Sequence, residues 1–168
     1  MKLKILFFIL CLSPLALLSQ GTTVKSGAVT FNFVSKDVDG SLSGFNSSST
    51  IDFENPENSK FKGSVAVKSI RTGIFLRDWS LKGRKYFDED EHPRIYFEST
   101  SVFSTSDGFS VKGTLTIKNI DKPITINFKK NNSRLIGTTT LYSSDFGINI
   151  KKKREDNKVN VRLVFDLN

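Results

Sequence analysis

The chain has 168 residues, which is the length of one domain, with 25 Lys and Arg against 17 Asp and Glu and a net charge of +8. A single Cys excludes an internal disulfide, so the fold must be stabilised by packing. The basic residues are spread along the chain, which indicates solvated faces first and attraction to an anionic membrane surface second.

The first nineteen residues have the pattern of a secretory signal peptide. Lys2 and Lys4 precede an apolar run at 5–18 that is too short to span a bilayer, and Ser19 is a small residue suited to cleavage. We therefore predict a signal peptide at 1–19, a mature domain at 20–168, and a periplasmic or secreted location. Cleavage would also remove Cys11, and the bulky residues just before it make Cys11 a poor lipoprotein site.

Period-two alternation begins soon after this leader. It predicts a first strand through Val29, Phe31 and Phe33, and an Asp39-Gly40 turn after it. Short strands are predicted at 42–45 and 51–53. The next strand is predicted to bury one face that carries Phe61, Val65 and Val67.

The alternation stops in a central stretch at 69–99, where apolar residues recur every three to four positions. This spacing predicts a short helix over 75–87. Asp78 is suited to be its N-cap or a first-turn carboxylate, and Arg77 to hold that carboxylate or a nearby carbonyl. Ser69, Thr72 and Gly73 are predicted to form the tight turn into the helix.

Strands resume at Ile95 and Phe97 and continue to the C-terminus. Turns are predicted at 106–108, 119–123 and 131–133, and the clearest alternation runs from Phe109 to Ile117. The basic run at 151–154, together with Glu155, Asp156 and Asn157, is interpreted as a solvated loop before the last strand. Eight to ten regularly spaced strands indicate an all-β barrel or sandwich, and the aromatic inner faces favour the barrel.

An ordered set of motifs resembles the YceI-like family. The segments SIRTG at 69–73, RDWSL at 77–81, IYFES at 95–99, GTLTI at 113–117 and DFGI at 145–148 occur in the order typical of that family. The resemblance covers residues 24–168. It implies an all-β, eight-stranded, antiparallel, lipocalin-like barrel with one short helix after the third or fourth strand.

The resemblance also implies a function, namely non-catalytic binding, storage or transport of a long-chain apolar lipid in the barrel interior. The implied partner is an isoprenoid or a fatty-acid-like lipid. The sequence departs from residues that the family often has at Ser80, His92 and Ser143, so no head-group contact is carried over to these positions.

Candidate ligand-binding residues are the alternating apolar side chains of the strands together with two residues of the central stretch. Trp79 fits a gate or the core equally well, and Arg77 fits a structural clamp better than a head-group contact. The predicted set is Phe31, Phe33, Phe53, Val65, Val67, Arg77, Trp79, Phe97, Leu115, Phe128, Phe146, Leu163 and Phe165.

Other functions have weaker support in the sequence. His92, the only histidine, lies beside an acidic run that is typical of a solvated loop, so no metal and no catalytic residue is predicted. No cofactor motif and no interleaved basic and aromatic pattern for nucleic acid is present. Two rivals stay open: an enzyme using Arg77, Asp78 and His92 at the tunnel mouth, and a filled barrel that acts as a secreted interaction module. Transient membrane-surface contact is also predicted, and the oligomeric state is left open.

Overall fold

A computed structural model describes residues 21–168, so the predicted signal peptide lies outside the described residues. This part of the chain forms ten strands and one α-helix. The elements are β1 Thr22–Phe33, β2 Val38–Leu42, β3 Asn46–Ser47, β4 Thr50–Ile51, β5 Lys62–Ala66, α1 Phe75–Lys82, β6 Arg94–Thr105, β7 Gly108–Ile117, β8 Ile120–Asn131, β9 Arg134–Tyr142 and β10 Lys158–Leu167. None of the described residues forms a helix with the length and hydropathy needed to cross a bilayer.

The strands form one curled antiparallel sheet in the order β2-β1-β10-β9-β8-β7-β6-β5-β3, with β4 paired to the start of β1. Its two ends meet where β2 passes into β3. There the Ala66 amide donates to the Ser43 carbonyl (3.0 Å), and Ser41 and Arg71 exchange two backbone hydrogen bonds. The Ser69 hydroxyl accepts from the Ser43 amide at 2.7 Å. The predicted antiparallel barrel is confirmed in this form.

Strand number and helix position differ from the prediction for a local reason. The strand predicted at 42–45 is wrong, because residues 43–45, where Gly44 has a φ of +65°, form the non-strand connection between β2 and β3, and β3 and β4 contain only two residues each. The helix therefore follows the fifth strand instead of the third or fourth. It also ends at Lys82 and not at residue 87, because the backbone after Gly83 folds back on its C-terminal turn.

Two predicted turns were misplaced. Asp39 and Gly40 lie inside β2, and the reversal occurs at 34–37, where Asp37 adopts a left-handed conformation. Gly40 pairs with Phe31, and a Cβ there would overlap the Phe31 ring, so this glycine serves close packing. The turn predicted at 119–123 is the two-residue turn Lys118-Asn119, both with positive φ, and Pro123 lies within β8 opposite Thr114.

Candidate functional site

The strand connections give the barrel two distinct ends. The reversal at 34–37, helix α1, the Lys118-Asn119 turn and the loop 143–157 all lie at one end, which we call the mouth end. The turns at 106–107 and 132–133 lie at the opposite end, called the floor end. This arrangement follows from the antiparallel order, because alternate connections share an end of the sheet.

Stacked phenylalanine rings close the floor end. Phe61 stacks on Phe128 with centroids 5.1 Å apart, Phe128 contacts Phe165 at 5.7 Å, and Phe165 contacts Phe45 at 5.0 Å. Phe61, Phe128 and Phe165 are buried in one cluster. Phe128 lies opposite Gly137, where a Cβ would overlap its ring. The lower part of the barrel is therefore packed with protein side chains.

A cavity of about 630 Å³ lies above this floor. That volume is within the usual range of small-ligand sites, about 300–1,000 Å³. Its walls are alternate residues of the strands, whose side chains point inward because successive residues of a strand face opposite sides. The apolar wall and floor residues include Val29, Phe31, Phe33, Phe45, Phe61, Val65, Ile95, Phe97, Leu115, Ile117, Ile124, Ile126, Phe128, Leu141, Val159, Val161, Leu163 and Phe165.

Thr72 organises the mouth end just before α1. Its amide and hydroxyl both donate to Oδ1 of the buried Asp78, at 2.7 and 2.5 Å. Arg77 donates from Nε to the Thr72 hydroxyl (2.6 Å) and from Nη2 to the Thr72 carbonyl (2.5 Å). Gly73, with φ of +82°, turns the chain into the helix. Asp78 thus binds the preceding turn from the first turn of α1, while Ile74 occupies the N-cap, so the predicted cap by Asp78 is wrong and its first-turn position is confirmed.

The cavity has few charged groups. Lys36, Lys62 and Arg77 line it, and the Lys62 ammonium forms an ion pair with Glu98 at 2.8 Å. Arg77 lies at the mouth end, and its Nη1 makes no hydrogen bond to any of residues 21–168. Arg77 can therefore both clamp Thr72 and offer the two N–H groups of Nη1 to a ligand. Neutral polar groups of the lining include Ser80, Tyr86 and Ser143.

The comparison with family models identifies the fold. A model described as "YceI-like domain" matches residues 18–168. The chain belongs to the YceI-like family. A "UPF0312 protein" of Yersinia pestis is 36% identical over 90 residues, which cover 54% of this chain and 47% of that protein. The chain thus spans about half the length of the curated relatives it matches.

Solved structures show the same YceI-like fold at low identity. BcnA of Burkholderia cenocepacia superposes with a TM-score of 0.71 at 16% identity, covering 83% of this chain and 94% of BcnA. A polyisoprenoid binding domain of Saccharophagus degradans gives a TM-score of 0.58 at 11% identity, covering 88% and 96% of the two chains. At these identities the likeness establishes the fold alone.

The structure brings nine of the thirteen predicted site residues of this YceI-like domain to the cavity. These nine are Phe31, Phe33, Val65, Arg77, Phe97, Leu115, Phe128, Leu163 and Phe165. Phe128 and Phe165 form part of the floor, and the others lie along the walls or at the mouth end. Their role in binding stays a prediction.

The other four predicted site residues do not line the cavity. Phe53 packs on Phe109 outside the floor, with the Lys130 ammonium 3.9 Å from its ring centroid. Val67 and Phe146 are fully buried in the core cluster of the mouth end. Trp79 is 71% exposed and points away from the interior. Trp79 is therefore neither a gate of the cavity nor part of the core, the two roles that the sequence suggested.

The three residues of the enzyme alternative do not all line the cavity. Of these only Arg77 lines the cavity, while Asp78 is committed to Thr72. His92 is half-buried in the turn before β6, where its amide donates to the Asp88 carbonyl at 2.8 Å. No group of His, Asp and Glu with metal-site geometry occurs within residues 21–168.

Sequence reasoning missed how the loop 143–157 is fixed. Asn157 is fully buried; its side-chain oxygen accepts from the amides of Ile150 and Lys151, and its side-chain amide donates to the carbonyls of Lys151 and Lys153. Arg154 also binds Asp145 through two hydrogen bonds, at 2.7 and 2.6 Å. These bonds hold the pKa of the Asp145 carboxyl below its usual value. The prediction of a solvated loop holds for residues 152–156, which are exposed, and is wrong for Asn157, which is buried because its side chain bonds four backbone groups of the loop.

Proposed function

We propose that this YceI-like protein binds one long-chain apolar lipid of the isoprenoid class in its interior, without catalysis, and does so outside the cytoplasm. The observation that carries this proposal is the cavity of about 630 Å³ between the phenylalanine floor and the mouth end, with walls made mostly of apolar side chains. A packed interior would have favoured the interaction module instead.

Affinity in such a site comes from burial. Moving apolar surface out of water is worth about 25 cal/mol per Å², and no bond needs to be made or broken. The rigid rings of Phe31, Phe33 and Phe97 supply large contact areas at little conformational cost. The walls should therefore select a ligand by the length and shape of its apolar chain and not by a particular functional group.

The class of ligand is supported by the family and by the charges at the mouth. The Saccharophagus degradans neighbour is a polyisoprenoid binding domain, and a fatty-acid-like lipid is chemically close to such a ligand. The free Nη1 of Arg77 suits an anionic or hydroxyl head group, whereas Ser80 and Ser143 add only neutral groups. We therefore assign most of the affinity to the chain and a smaller part to the head group.

The extracytoplasmic location is proposed from the leader at 1–19. Its charged start, short apolar run and small residue at the cleavage position support export to the periplasm or the medium. Amino-terminal sequencing of the protein from its native host tests this part, since the chain should begin at Gln20 after export.

Solvent extraction tests the ligand. The purified protein should release a long-chain lipid into organic solvent in near-stoichiometric amount, identified by mass spectrometry, and the stripped protein should take up an isoprenoid alcohol. An extract without lipid, together with no uptake, would refute the proposal. Lipid that returns chemically changed after incubation, with the change lost on Arg77→Ala, would favour the enzyme instead.

A further inference from the structure

Exposed apolar side chains cluster beside the mouth. Phe75 is 80% exposed, Leu76 73%, Trp79 71% and Ile74 53%. These four residues, which we call the mouth patch, lie at the N-cap and in the first two turns of α1, where Trp79 is one helical turn from both Phe75 and Leu76. Single exposed apolar residues are ordinary in soluble proteins, whereas a contiguous group of this kind marks an interaction surface.

The fold itself turns the mouth patch outward. Phe75, Trp79 and Lys82 are spaced i, i+4, i+7 and share one stripe of the helix. Asp78 and Leu81 share another stripe, which is buried. The two hydrogen bonds from Thr72 to Asp78 fix the rotation of the helix, so the aromatic stripe cannot turn inward without breaking them.

The charges around the mouth patch are basic. Among residues 68–79 the only acidic side chain is Asp78, which is buried, and the exposed charged residues are Lys68 and Arg71; Arg84 and Lys85 lie at the other end of α1, beside the acidic run at 88–91. The acidic run at 88–91 folds onto the C-terminal end of α1, where the amides of Asp88 and Glu89 donate to the carbonyls of Gly83 and Lys82. That end is about 12 Å along the helix from Phe75.

We propose that the mouth patch docks on the surface of an anionic lipid bilayer and places the mouth end of the barrel, where Arg77 and Ser80 line the cavity, against the membrane. Aromatic and leucine side chains that enter the interface, flanked by Lys and Arg that meet anionic head groups, are the composition of an interfacial helix. A second copy of the chain is a poorer partner, because a two-fold contact would bring the basic residues beside the two mouth patches close together. Docking needs no bound ligand, whereas passage of a lipid from the bilayer into the cavity rests on the function proposed above.

Trp79 is the only tryptophan of the chain, so its fluorescence reports on the patch directly. The mature protein is mixed with vesicles of phosphatidylglycerol and phosphatidylcholine in equal parts, and with pure phosphatidylcholine vesicles. We expect a blue-shifted emission and quenching by brominated lipid with the anionic vesicles, both weaker with pure phosphatidylcholine and at high salt. Ligand in the cavity should leave the emission unshifted, because Trp79 does not line it.

The double variant F75S/L76S keeps the reporter and removes two of the four apolar side chains. It should reduce vesicle partitioning by about tenfold or more, since each side chain enters the interface only in part. Phe103→Ser is the matched control, because Phe103 is 49% exposed on β6 and lies outside the mouth patch; it should partition like the wild type.

Three results would overturn docking: no vesicle binding by the wild type, binding without a change in Trp79 emission, or equal binding by F75S/L76S. Self-association that F75S/L76S abolishes, in the absence of vesicle binding, would assign the patch to a second copy. Uptake of an isoprenoid alcohol in solution is measured on the same proteins. Retained uptake with failed docking leaves the proposed function standing, and docking by a protein that neither yields lipid on extraction nor takes up the alcohol refutes that function alone.

Discussion

The division of the interior into a packed floor and an open cavity predicts unequal costs for two phenylalanine truncations. Phe128 is 2% exposed and contacts the rings of Phe61 and Phe165. Replacing it with Ala should lower the free energy of unfolding by about 3–5 kcal/mol. Phe31 is half-buried, borders the cavity and belongs to neither packed core cluster. Phe31→Ala should cost only about 1–2 kcal/mol, since part of its ring already faces space without packing partners.

These magnitudes are measurable in a domain of this size. A chain of this length has a stability of about 7–20 kcal/mol, so Phe128→Ala removes a large share yet leaves a folded protein. Its melting temperature should fall by roughly 6–20 °C. Urea titration should show a lower midpoint with an unchanged slope for both variants, which separates lost stability from a change in compactness.

The same two variants should also differ in ligand binding. Here Phe31→Ala, the variant that costs less stability, should lose more affinity. Truncating Phe128 deepens the cavity at the floor, so the preferred isoprenoid chain should become longer. Truncating Phe31 removes wall contact and should weaken binding about tenfold without changing the preferred length. Equal stability costs for the two variants would mean that the interior is uniformly packed, and the floor-and-cavity description would then be wrong.

Three further changes test the mouth and the loop 143–157. Arg77→Gln should reduce the preference for a carboxylate over an alcohol of the same chain length about tenfold, measured by competition for uptake, while Arg71→Gln, outside the cavity lining, should leave it unchanged. Asn157→Ala leaves four backbone groups without their partner and should cost about 3 kcal/mol or more in urea unfolding; an equal cost for the exposed Asn149→Ala would contradict this. Arg154 lowers the pKa of Asp145 from 3.8, so this stabilisation is present above about pH 4 and is lost as the pH falls through the lowered pKa. The melting temperature of Asp145→Asn should therefore be about 1–3 °C below that of the wild type at pH 7 and equal to it near pH 2.

The sequence was most informative where strands bury one face. In β7 the odd-numbered residues from Phe109 to Ile117 are all buried and the even-numbered residues between them are not, just as the alternation indicates. Alternation records which face a side chain takes, because the period of a strand is two. Nine cavity residues could be predicted on this basis together with the family resemblance. Alternation does not show how far along the barrel axis a residue lies. For this reason Phe53 was predicted to be in the binding site, whereas it lies outside the floor.

Glycine signals were ambiguous for a physical reason. Asp-Gly is typical of a tight turn, but glycine also allows a ring to lie directly on a neighbouring strand. Gly40 does the latter beneath Phe31, and the actual turn uses Asp37. The choice between the two depends on which side chain comes to lie across the sheet. That depends on tertiary packing, which a local sequence pattern does not specify.

The motif that made the family recognisable has a structural task in this protein. Thr72 of SIRTG and Asp78 of RDWSL bind each other, Arg77 holds Thr72, and together they fix the rotation of α1 at the mouth. Ser80 and Ser143, two of the three positions where the sequence departs from the family, both line the cavity. The family motifs therefore carry two kinds of residue: Thr72 and Asp78 bind each other and fix α1, whereas Phe97 and Leu115 are part of the cavity wall. We expect exchanges at 80 and 143 to change which head group is accepted, and exchanges at 72 and 78 to loosen the helix whatever the ligand.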